Sequence, residues 1–595
     1  MFKKQDRDSA EKKMIETLDV EGMKDLAAVA LGEKEADLVI KGVDLVNVYT
    51  REVLKGYSVA TKGKWIAYVG PDAGHTIGSG TKVIDGTGKA LIPGFVDGHS
   101  HMLYYASPQE FLRYAMRGGT TTIVTEIMEL TFPLGYRGLI ECLESLKDQP
   151  IKIFSTVPPS VTFSKDAAAK APTLTQLLDL LKRDDILGVG EGFWQEVLRG
   201  ETNFPTLSVE ARRLGKTAEG HAAGCRGQRL AAYLDYGVSS CHESVSAEEV
   251  IEKLRFGICT MIREGSIRKE LDAIAKVKDM GLDLRRAALV TDGADPRDLV
   301  RKGYLEHVVQ RAMDAGFDPV LAVQMATLNV AEHFQLDGIL GGIAPAKYAD
   351  MVLIPDLRTI RAEVVISNGV IIAQDEKLLV PPRAGVFTGS ELKKTHVSSD
   401  DFAIKVQRKD LLKVRVMDQV AELVTKEVIL DLPARDGELK ADPDKDILKA
   451  SVISCEGKIF TGLVRGLGFR AGAMATSGAW ETFATVVVGA AEADMAMAVN
   501  RIFEMGGGIV VCSEGEIRAE LALPVAGLMS NQSIEEIVER LNQIQAKAKV
   551  LGFRFPDAAL TLAVLTTAAI PFLRLSEDGL VDSRTGRVKD LVLPP

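Results

Sequence analysis

The part of the chain between residues 94 and 340 alternates short apolar runs with helix-like stretches, with about one run every 25–40 residues. Eight of these runs have the length of a strand. They cover approximately residues 94–100, 120–125, 151–156, 186–190, 216–220, 236–241, 257–262 and 287–291. Eight strand–helix units over roughly 250 residues are typical of a TIM-type (β/α)8 barrel. The sequence therefore predicts an α/β protein with such a barrel over residues 94–340.

Short runs with a different pattern of apolar and polar residues lie on both sides of this segment. Residues 36–93 contain apolar and polar positions in alternation, broken by Gly, Asp and Lys, and residues 341–384 repeat the pattern. This pattern predicts a small β domain that is split by the insertion of the barrel. Residues 1–35 are rich in Lys, Glu, Asp and Ala and are predicted to be a helical segment. Residues 385–595 are long enough for a C-terminal α/β domain.

Composition argues against two kinds of partner. The formal net charge is −10 and the sequence has no basic stripe, so we expect no nucleic-acid partner. The longest apolar stretch, Ala558–Leu573, contains Pro571 and is short for a membrane span, so we expect a buried helix and no membrane partner. The six cysteines form no C-x-x-C pair, and the N-terminus has no apolar signal core. We therefore expect a cytoplasmic protein, and for this size a homodimer.

Polar residues that close the predicted strands carry the functional signal, because catalytic groups of such barrels lie at the carboxyl ends of the strands. The first strand closes with His99 and His101, which point to the same side of the strand and can reach one ion. The later strands close near Glu126, Thr156, Glu191, His221, His242, Arg263 and Asp292. Any one of the histidines could be structural, but four of the eight in the chain fall at strand ends. The set predicts a metal site made of His99, His101, Glu191, His221, His242 and Asp292.

Two carboxylates and one arginine of this set have predicted roles in the chemistry. Asp292 follows a run of small apolar residues, so it could take a proton from an activated water and pass it to a leaving amine. The alternative is an N-cap for the helix that starts near Pro296. Glu191 could bridge two cations, and the absence of lysine from residues 186–197 disfavours a carbamylated lysine in that place. Arg263 could orient the substrate or form an ion pair at the barrel mouth.

Several motifs resemble those of the amidohydrolase superfamily and, within it, of the bacterial adenine deaminases. PGFVDGHSH at 93–101 is similar to the first-strand motif of the superfamily. GGIAPAKYADMVLI at 341–354 is similar to the superfamily segment in which the chain returns from the barrel to the split β domain. More specific similarities are GHAAG, GVSSCHE, LRFGICTMIREGS and TDGADP in the barrel, then MAMAVNRIFEMGGGIVV and ELALPVAGLMS near the C-terminus. The resemblance covers about residues 36–595.

The resemblance implies a reaction and a cofactor. The six predicted ligands would bind one or two divalent metal ions, first of all Mn²⁺ or Fe²⁺, with Zn²⁺ as a further option. Glu191 would bridge the ions, and Asp292 would be both ligand and proton shuttle. Water activated on the metal would attack C6 of adenine and release hypoxanthine and ammonia. The partner of this chain would then be a small amino-heterocycle.

Four segments depart from the adenine deaminase pattern and leave other substrates open. They are Met102–Tyr105, Glu126–Glu129, Asp295–Pro296 and Trp480–Phe483. The loss of polar partners can change substrate discrimination by orders of magnitude. The alternatives are therefore deamination of another amino-purine or a pterin, and hydrolysis of a cyclic amide or an N-acetyl group. A non-catalytic scaffold is a further alternative, although every predicted ligand is present.

Overall fold

A helix and five strands precede the barrel in the computed structural model, which describes residues 15–385, 396–407 and 411–594. Helix α1 (Val20–Ala30) begins after Asp19, whose carboxylate accepts a hydrogen bond from Gly22 N at 2.7 Å. Residues 1–14 of the predicted helical segment lie outside the described residues. The strands that follow are β1 (Leu38–Asn47), β2 (Glu52–Lys62), β3 (Trp65–Gly70), β4 (Lys82–Asp85) and β5 (Ala90–Pro93).

Eight parallel strands then form the barrel, as predicted. They are β6 (Phe95–Ser100), β7 (Thr120–Thr125), β8 (Lys152–Val157), β9 (Ile186–Phe193), β10 (Thr217–His221), β11 (Ser240–Cys241), β12 (Cys259–Arg263) and β13 (Ala287–Val290). Strands β6 to β10 pair in sequence order, and so do β11 to β13. Two seams close the ring. His101 N and Asp292 N donate to Asp292 O and His99 O at 2.6 and 3.0 Å, and Ser239 N donates to Ala218 O at 2.8 Å.

Helices surround the barrel and follow its strands. They are α2 (Pro108–Arg117), α3 (Thr131–Leu146), α4 (Lys165–Ala168), α5 (Leu174–Leu181), α6 (Trp194–Arg199), α7 (Phe204–Arg213), α8 (Gly227–Leu234), α9 (Ala247–Arg255), α10 (Leu271–Ile274), α11 (Pro296–Lys302), α12 (Leu305–Asp314), α13 (Pro319–Met325) and α14 (Leu328–His333). The local sequence explains where several of these helices begin. The side chains of Ser107, Thr173 and Ser246 accept backbone N–H groups at the first turns of α2, α5 and α9.

The chain then returns to the first sheet, which confirms the split β domain. The returning strands are β14 (Met351–Ile354), β15 (Val364–Ser367), β16 (Val370–Gln374) and β17 (Lys377–Leu378). The order is β17-β16-β15-β14-β5-β1-β2-β3, with β4 also paired to β1. Strand β14 pairs antiparallel with β5, so the two segments meet in the middle of the sheet. A buried ion pair, 2.7 Å between Lys152 Nζ and Asp350 Oδ2, joins this sheet to β8 of the barrel.

The C-terminal region contains both strands and helices, as expected. Its strands are β18 (Ile404–Lys405), β19 (Leu411–Gln419), β20 (Thr425–Pro433), β21 (Glu438–Leu439), β22 (Ile447–Ser454), β23 (Ile459–Arg465), β24 (Ala473–Thr476), β25 (Ala484–Gly489), β26 (Gly508–Ser513), β27 (Glu516–Ala522), β28 (Leu573–Ser576), β29 (Gly579–Asp582) and β30 (Arg587–Lys589). Its helices are α15 (Glu492–Met505), α16 (Ile534–Val550) and α17 (Ala558–Ala563). Eight strands form one sheet, in the order β20-β19-β23-β22-β25-β24-β26-β27. Its buried apolar residues are continuous with those of the barrel.

The apolar stretch Ala558–Leu573 is only partly helical, so the prediction of a buried helix is wrong beyond Ala563. Pro571 cannot donate a backbone hydrogen bond, and the fully buried Arg574 donates to the carbonyl oxygens of Val564, Ile570 and Pro571. These carbonyl groups therefore have partners without a helix. Within the described ranges, no helix combines the length and apolar character needed to cross a bilayer.

Candidate active site

The predicted strand-end residues come together at the carboxyl end of the barrel. His99 and Glu191 lie on β6 and β9, and His221 ends β10. His101, His242 and Asp292 come one or two residues after their strands end. All six side chains are buried or nearly so, because the ends of parallel strands converge on the barrel axis.

Glu191 lies at the centre of four imidazoles. Its Oε1 is 3.0 Å from His101 Nε2 and 3.4 Å from His99 Nε2. Its Oε2 is 2.7 Å from His221 Nδ1 and 3.7 Å from His242 Nε2. One carboxylate therefore contacts two histidine pairs, one through each oxygen.

Asp292 completes the cluster from the last strand. Its Oδ1 lies 3.5 Å from His99 Nε2 and 3.4 Å from His101 Nε2, and its Oδ2 accepts from Arg263 Nη1 at 3.0 Å. The backbone of Asp292 has φ 63°, a left-handed conformation that is uncommon outside glycine. The alternative role as an N-cap does not apply, since the carboxylate that caps α11 is that of Asp295.

Three overlapping groups of side chains could each hold a metal ion. In each group the candidate ligand atoms lie within 4.8 Å of one another. The groups are His99, His242 and Asp292; His99, His101 and Glu191; and Glu191, His221 and His242. Among the described residues, the buried His99 Nε2 has no hydrogen-bond partner, which fits an atom reserved for a cation. Mixed imidazole and carboxylate donors suit a divalent transition metal.

The electrostatics of the cluster are dominated by burial and by contacts between opposite charges. Burial would raise the pKa of Glu191, but the surrounding imidazoles hold it well below its usual range. The pKa of Asp292 is likewise low, because contacts with His101, His99 and Arg263 outweigh burial. Burial would lower the pKa of His99, but Asp292 and Glu191 raise it to about 10. A metal ion would therefore have to displace a proton from His99, whereas burial and the nearby His99 hold the pKa of His242 well below its usual range.

Three further carboxylates lie next to histidines of the cluster and are not among the predicted ligands. Glu129 lies 2.5 Å from His101 Nδ1, Glu126 Oε1 lies 3.9 Å from His99 Nδ1, and Glu243 Oε1 lies 3.8 Å from His221 Nδ1. Glu129 is within hydrogen-bond distance and can orient the His101 ring, whereas Glu126 and Glu243 are farther away and act on the imidazoles through their charge. Two signals could have identified them: Glu126 and Glu129 stand in a departing segment, and Glu243 directly follows His242.

Arg263 forms an ion pair at this end of the barrel. Its Nη1 contacts both Glu243 and Asp292. Burial would raise the pKa of Glu243, but this arginine is the main group that holds it down, at about 2. Among the described residues, Nε and Nη2 of Arg263 are buried without a hydrogen-bond partner. The ion pair therefore leaves two donors of the guanidinium group free.

A cavity of about 310 Å³ opens above the cluster. Its floor includes Glu191 and Asp292, and its walls include Leu423, Trp480 and Ile570 from the C-terminal region. The volume lies within the range of small-molecule sites. The C-terminal region is therefore part of the site and covers the mouth of the barrel.

Comparison with known proteins assigns the class and then the family. Residues 90–377 match the amidohydrolase family, so the barrel and its cluster define a hydrolase of that class. Residues 422–587 match the adenine deaminase C-terminal domain. An adenine deaminase of Clostridium botulinum is 36% identical over 575 residues, which cover 94% of this chain and 96% of the relative. One of Moorella thermoacetica is 36% identical over 588 residues, with 96% and 98% covered. The chain belongs to the adenine deaminase family.

Among solved structures, the β-aspartyl dipeptidase of Fervidobacterium islandicum AW-1 is 19% identical, with a TM-score of 0.45 over 58% of this chain and 98% of that chain. The family and enzyme class predicted from the sequence are confirmed by the family matches and the curated relatives. The TIM-type fold is confirmed by the closed ring of eight strands. The division into domains at the stated boundaries stays a prediction.

Proposed function

We propose that this protein deaminates adenine, converting adenine and water to hypoxanthine and ammonia. The observation that carries the proposal is the Glu191 carboxylate, which lies within 3.7 Å of four imidazoles at the floor of the cavity. The relatives named adenine deaminase are similar along almost the whole chain, which supports this substrate. A scaffold protein would have no need to keep so many buried charges together.

The proposed metal ligands are His99, His101, Glu191, His221, His242 and Asp292. Two of the three ligand groups share Glu191, so we propose that it bridges two ions when both are bound. Mn²⁺ or Fe²⁺ is the proposed ion, with Zn²⁺ as an alternative. When bound, a divalent cation would lower the pKa of its water toward about 7.

Asp292 is the proposed proton shuttle. Its contacts with imidazoles and Arg263 keep it ionised at neutral pH, so it can accept a proton from the attacking water. Oxygen adds to C6 of the ring, and the Asp292 carboxyl then returns the proton to the amino nitrogen. The C6–N bond breaks and ammonia leaves with the one proton that Asp292 delivers. The oxygen and the second proton of water stay with the product, the proton on N1 in the lactam form of hypoxanthine.

Arg263 has a proposed role in substrate binding. Its Nη1 is occupied by Glu243 and Asp292, whereas its unpartnered Nε and Nη2 belong to a residue that lines the cavity. A buried donor without a partner costs about 1–3 kcal/mol, which a ring nitrogen of the substrate would offset. Arg263 therefore would serve both as an ion-pair residue and as a substrate donor.

We also propose a cytoplasmic location and a homodimer. All six cysteines are buried and unpaired, which suits a reducing compartment. The dimer rests on the size of the chain alone, and sedimentation velocity tests it.

The experiment is an ammonia-release screen of the Mn²⁺- or Fe²⁺-loaded protein with adenine, other amino-purines, a pterin and a cyclic amide. We expect ammonia and hypoxanthine from adenine. His101→Gln should lose activity by at least about 100-fold, whereas the control His75→Gln, at a surface histidine bonded to Ala30 O, should not. Release of a carboxylate from the amide, without ammonia from any amino-heterocycle, would contradict the proposal.

A further inference from the structure

One wall of the cavity carries three side chains with polar tips, Tyr104, Tyr105 and Trp480, here called the donor wall. The two tyrosines follow the first barrel strand, and Trp480 comes from the C-terminal region after β24. The ring centroids of Tyr104 and Tyr105 are 4.2 Å apart, and Tyr104 meets Trp480 edge to face at 6.0 Å. The wall is therefore assembled from two parts of the chain that are far apart in sequence.

Hydrogen bonding on the donor wall is incomplete. The Tyr104 hydroxyl donates to Gly478 O at 2.5 Å. Within the described part of the chain, the buried Tyr105 Oη and Trp480 Nε1 have no partner with hydrogen-bond geometry, and the Tyr104 hydroxyl is the polar group that interacts with both. Each such donor costs about 1–3 kcal/mol relative to a paired one, so a native protein that keeps two of them in one cavity calls for an explanation.

The backbone of Tyr105 is strained and held from outside the barrel. Its φ is 63°, which is an outlier for an aromatic residue and costs on the order of 1–3 kcal/mol. Tyr105 N donates to Leu528 O at 3.0 Å, and Ser530 N donates to Tyr105 O at 2.8 Å. The C-terminal region thus fixes the strained residue in place. Strain of this kind concentrates at binding sites, where it positions a side chain.

Much of the remaining cavity wall is apolar, although charged side chains also line it. Met128, Ile267, Leu560 and Ile570 line it with apolar surface. A cavity that is mostly apolar, with a few convergent polar groups, orients a ligand by those groups. Tyr105 and Trp480 also stand in two of the four segments that depart from the adenine deaminase pattern. Each of the two residues can donate one hydrogen bond from its side chain.

We infer that Tyr105 Oη–H and Trp480 Nε1–H each donate a hydrogen bond to an acceptor nitrogen of the bound heterocycle's ring system. The inference rests on the proposed function. It defines the substrate class as fused amino-heterocycles with at least two acceptor ring nitrogens. It also makes the C-terminal region a determinant of substrate specificity.

The test measures binding, so that it does not depend on turnover. Equilibrium dialysis of the metal-loaded Asp292→Asn protein compares adenine with 1-deaza-, 3-deaza- and 7-deazaadenine, each of which replaces one ring nitrogen by C–H. Tyr105→Phe and Trp480→Phe are then added to this protein. The matched controls are Tyr68→Phe and Trp65→Phe, which lie on β3 in the split sheet.

We expect Tyr105→Phe and Trp480→Phe each to weaken adenine binding about tenfold, and the controls to leave it unchanged. Each side chain is expected to bond one ring nitrogen. The deaza analogue that lacks this nitrogen should bind the corresponding variant with the same affinity as it binds the parent. Failure of adenine to bind the parent, equal binding by parent and variants, or an equal loss for adenine and all three analogues would overturn the inference. Failure of the proposed function would show separately, as adenine that binds the wild-type protein without release of ammonia.

Discussion

Replacing Arg263 by methionine tests how the site keeps its proton acceptor ionised. The side chain is 3% exposed, and its Nη1 lies 3.0 Å from Asp292 Oδ2. Arg263→Met removes the cation but keeps much of the side-chain volume. Arg263→Lys is the matched control, since it keeps the charge but loses the fork of donors.

The magnitude follows from the charge separation. Two unit charges about 4 Å apart interact by about 4 kcal/mol at an effective dielectric constant near 20. One pKa unit corresponds to about 1.4 kcal/mol, so loss of the cation raises the pKa of Asp292 by up to about three units. Glu243 shares the same cation, so we expect a shift of about one to two units.

The assay is the pH dependence of kcat/KM for ammonia release. Activity needs the Asp292 carboxylate, so uptake of a proton by this group contributes to the acidic limb of the profile. A higher pKa moves that limb to higher pH in Arg263→Met, whereas Arg263→Lys keeps it near the wild-type position and loses only substrate affinity. An acidic limb that stays in place in Arg263→Met would refute the electrostatic role of this arginine.

Two stability predictions concern residues away from the cavity. Lys152→Met should destabilise the protein by about 3–5 kcal/mol because Asp350 stays buried without its partner, and Lys152→Met/Asp350→Leu should recover most of the loss in thermal denaturation. If the double variant is as unstable as the single one, the ion-pair argument fails. Burial raises the pKa of the Glu306 carboxyl to about 7. The protonated group therefore makes its full contribution to stability below its pKa in the unfolded chain, near 4.5. This contribution is lost as the pH rises through 7. Glu306→Gln should therefore be more stable than wild type at pH 8, by up to about 3 kcal/mol, and equal at pH 4; an equal difference at both pH values would contradict this.

The barrel and the centre of the site could be predicted from the sequence because both rest on local patterns. Apolar runs of strand length identify the eight strands, and the polar residue after each run marks the end where side chains converge. All six predicted ligands belong to this kind of signal: His99, His101, Glu191, His221, His242 and Asp292. Their roles as ligands stay proposals until metal binding is measured.

The rest of the site could not be predicted because it depends on contacts between distant residues. Nothing near Tyr105 in the sequence indicates that Leu528 and Ser530 hold its backbone. The prediction of a helix beyond Ala563 failed for a similar reason. Arg574 donates to carbonyl groups as far away in sequence as that of Leu423, at a separation of 151 residues. Local propensity cannot anticipate partners of this kind.

The central claim is that Asp292 moves the proton in a metal-dependent deamination. The direct measurement is ammonia release from adenine by wild-type and Asp292→Asn proteins, each with its bound Mn²⁺ or Fe²⁺ measured by atomic absorption. We expect hypoxanthine and ammonia from the wild type, no release after metal removal by a chelator, and a loss of at least about 100-fold in the folded, metal-containing variant. Near-normal release by metal-containing Asp292→Asn, or by the metal-free wild type, would contradict the account.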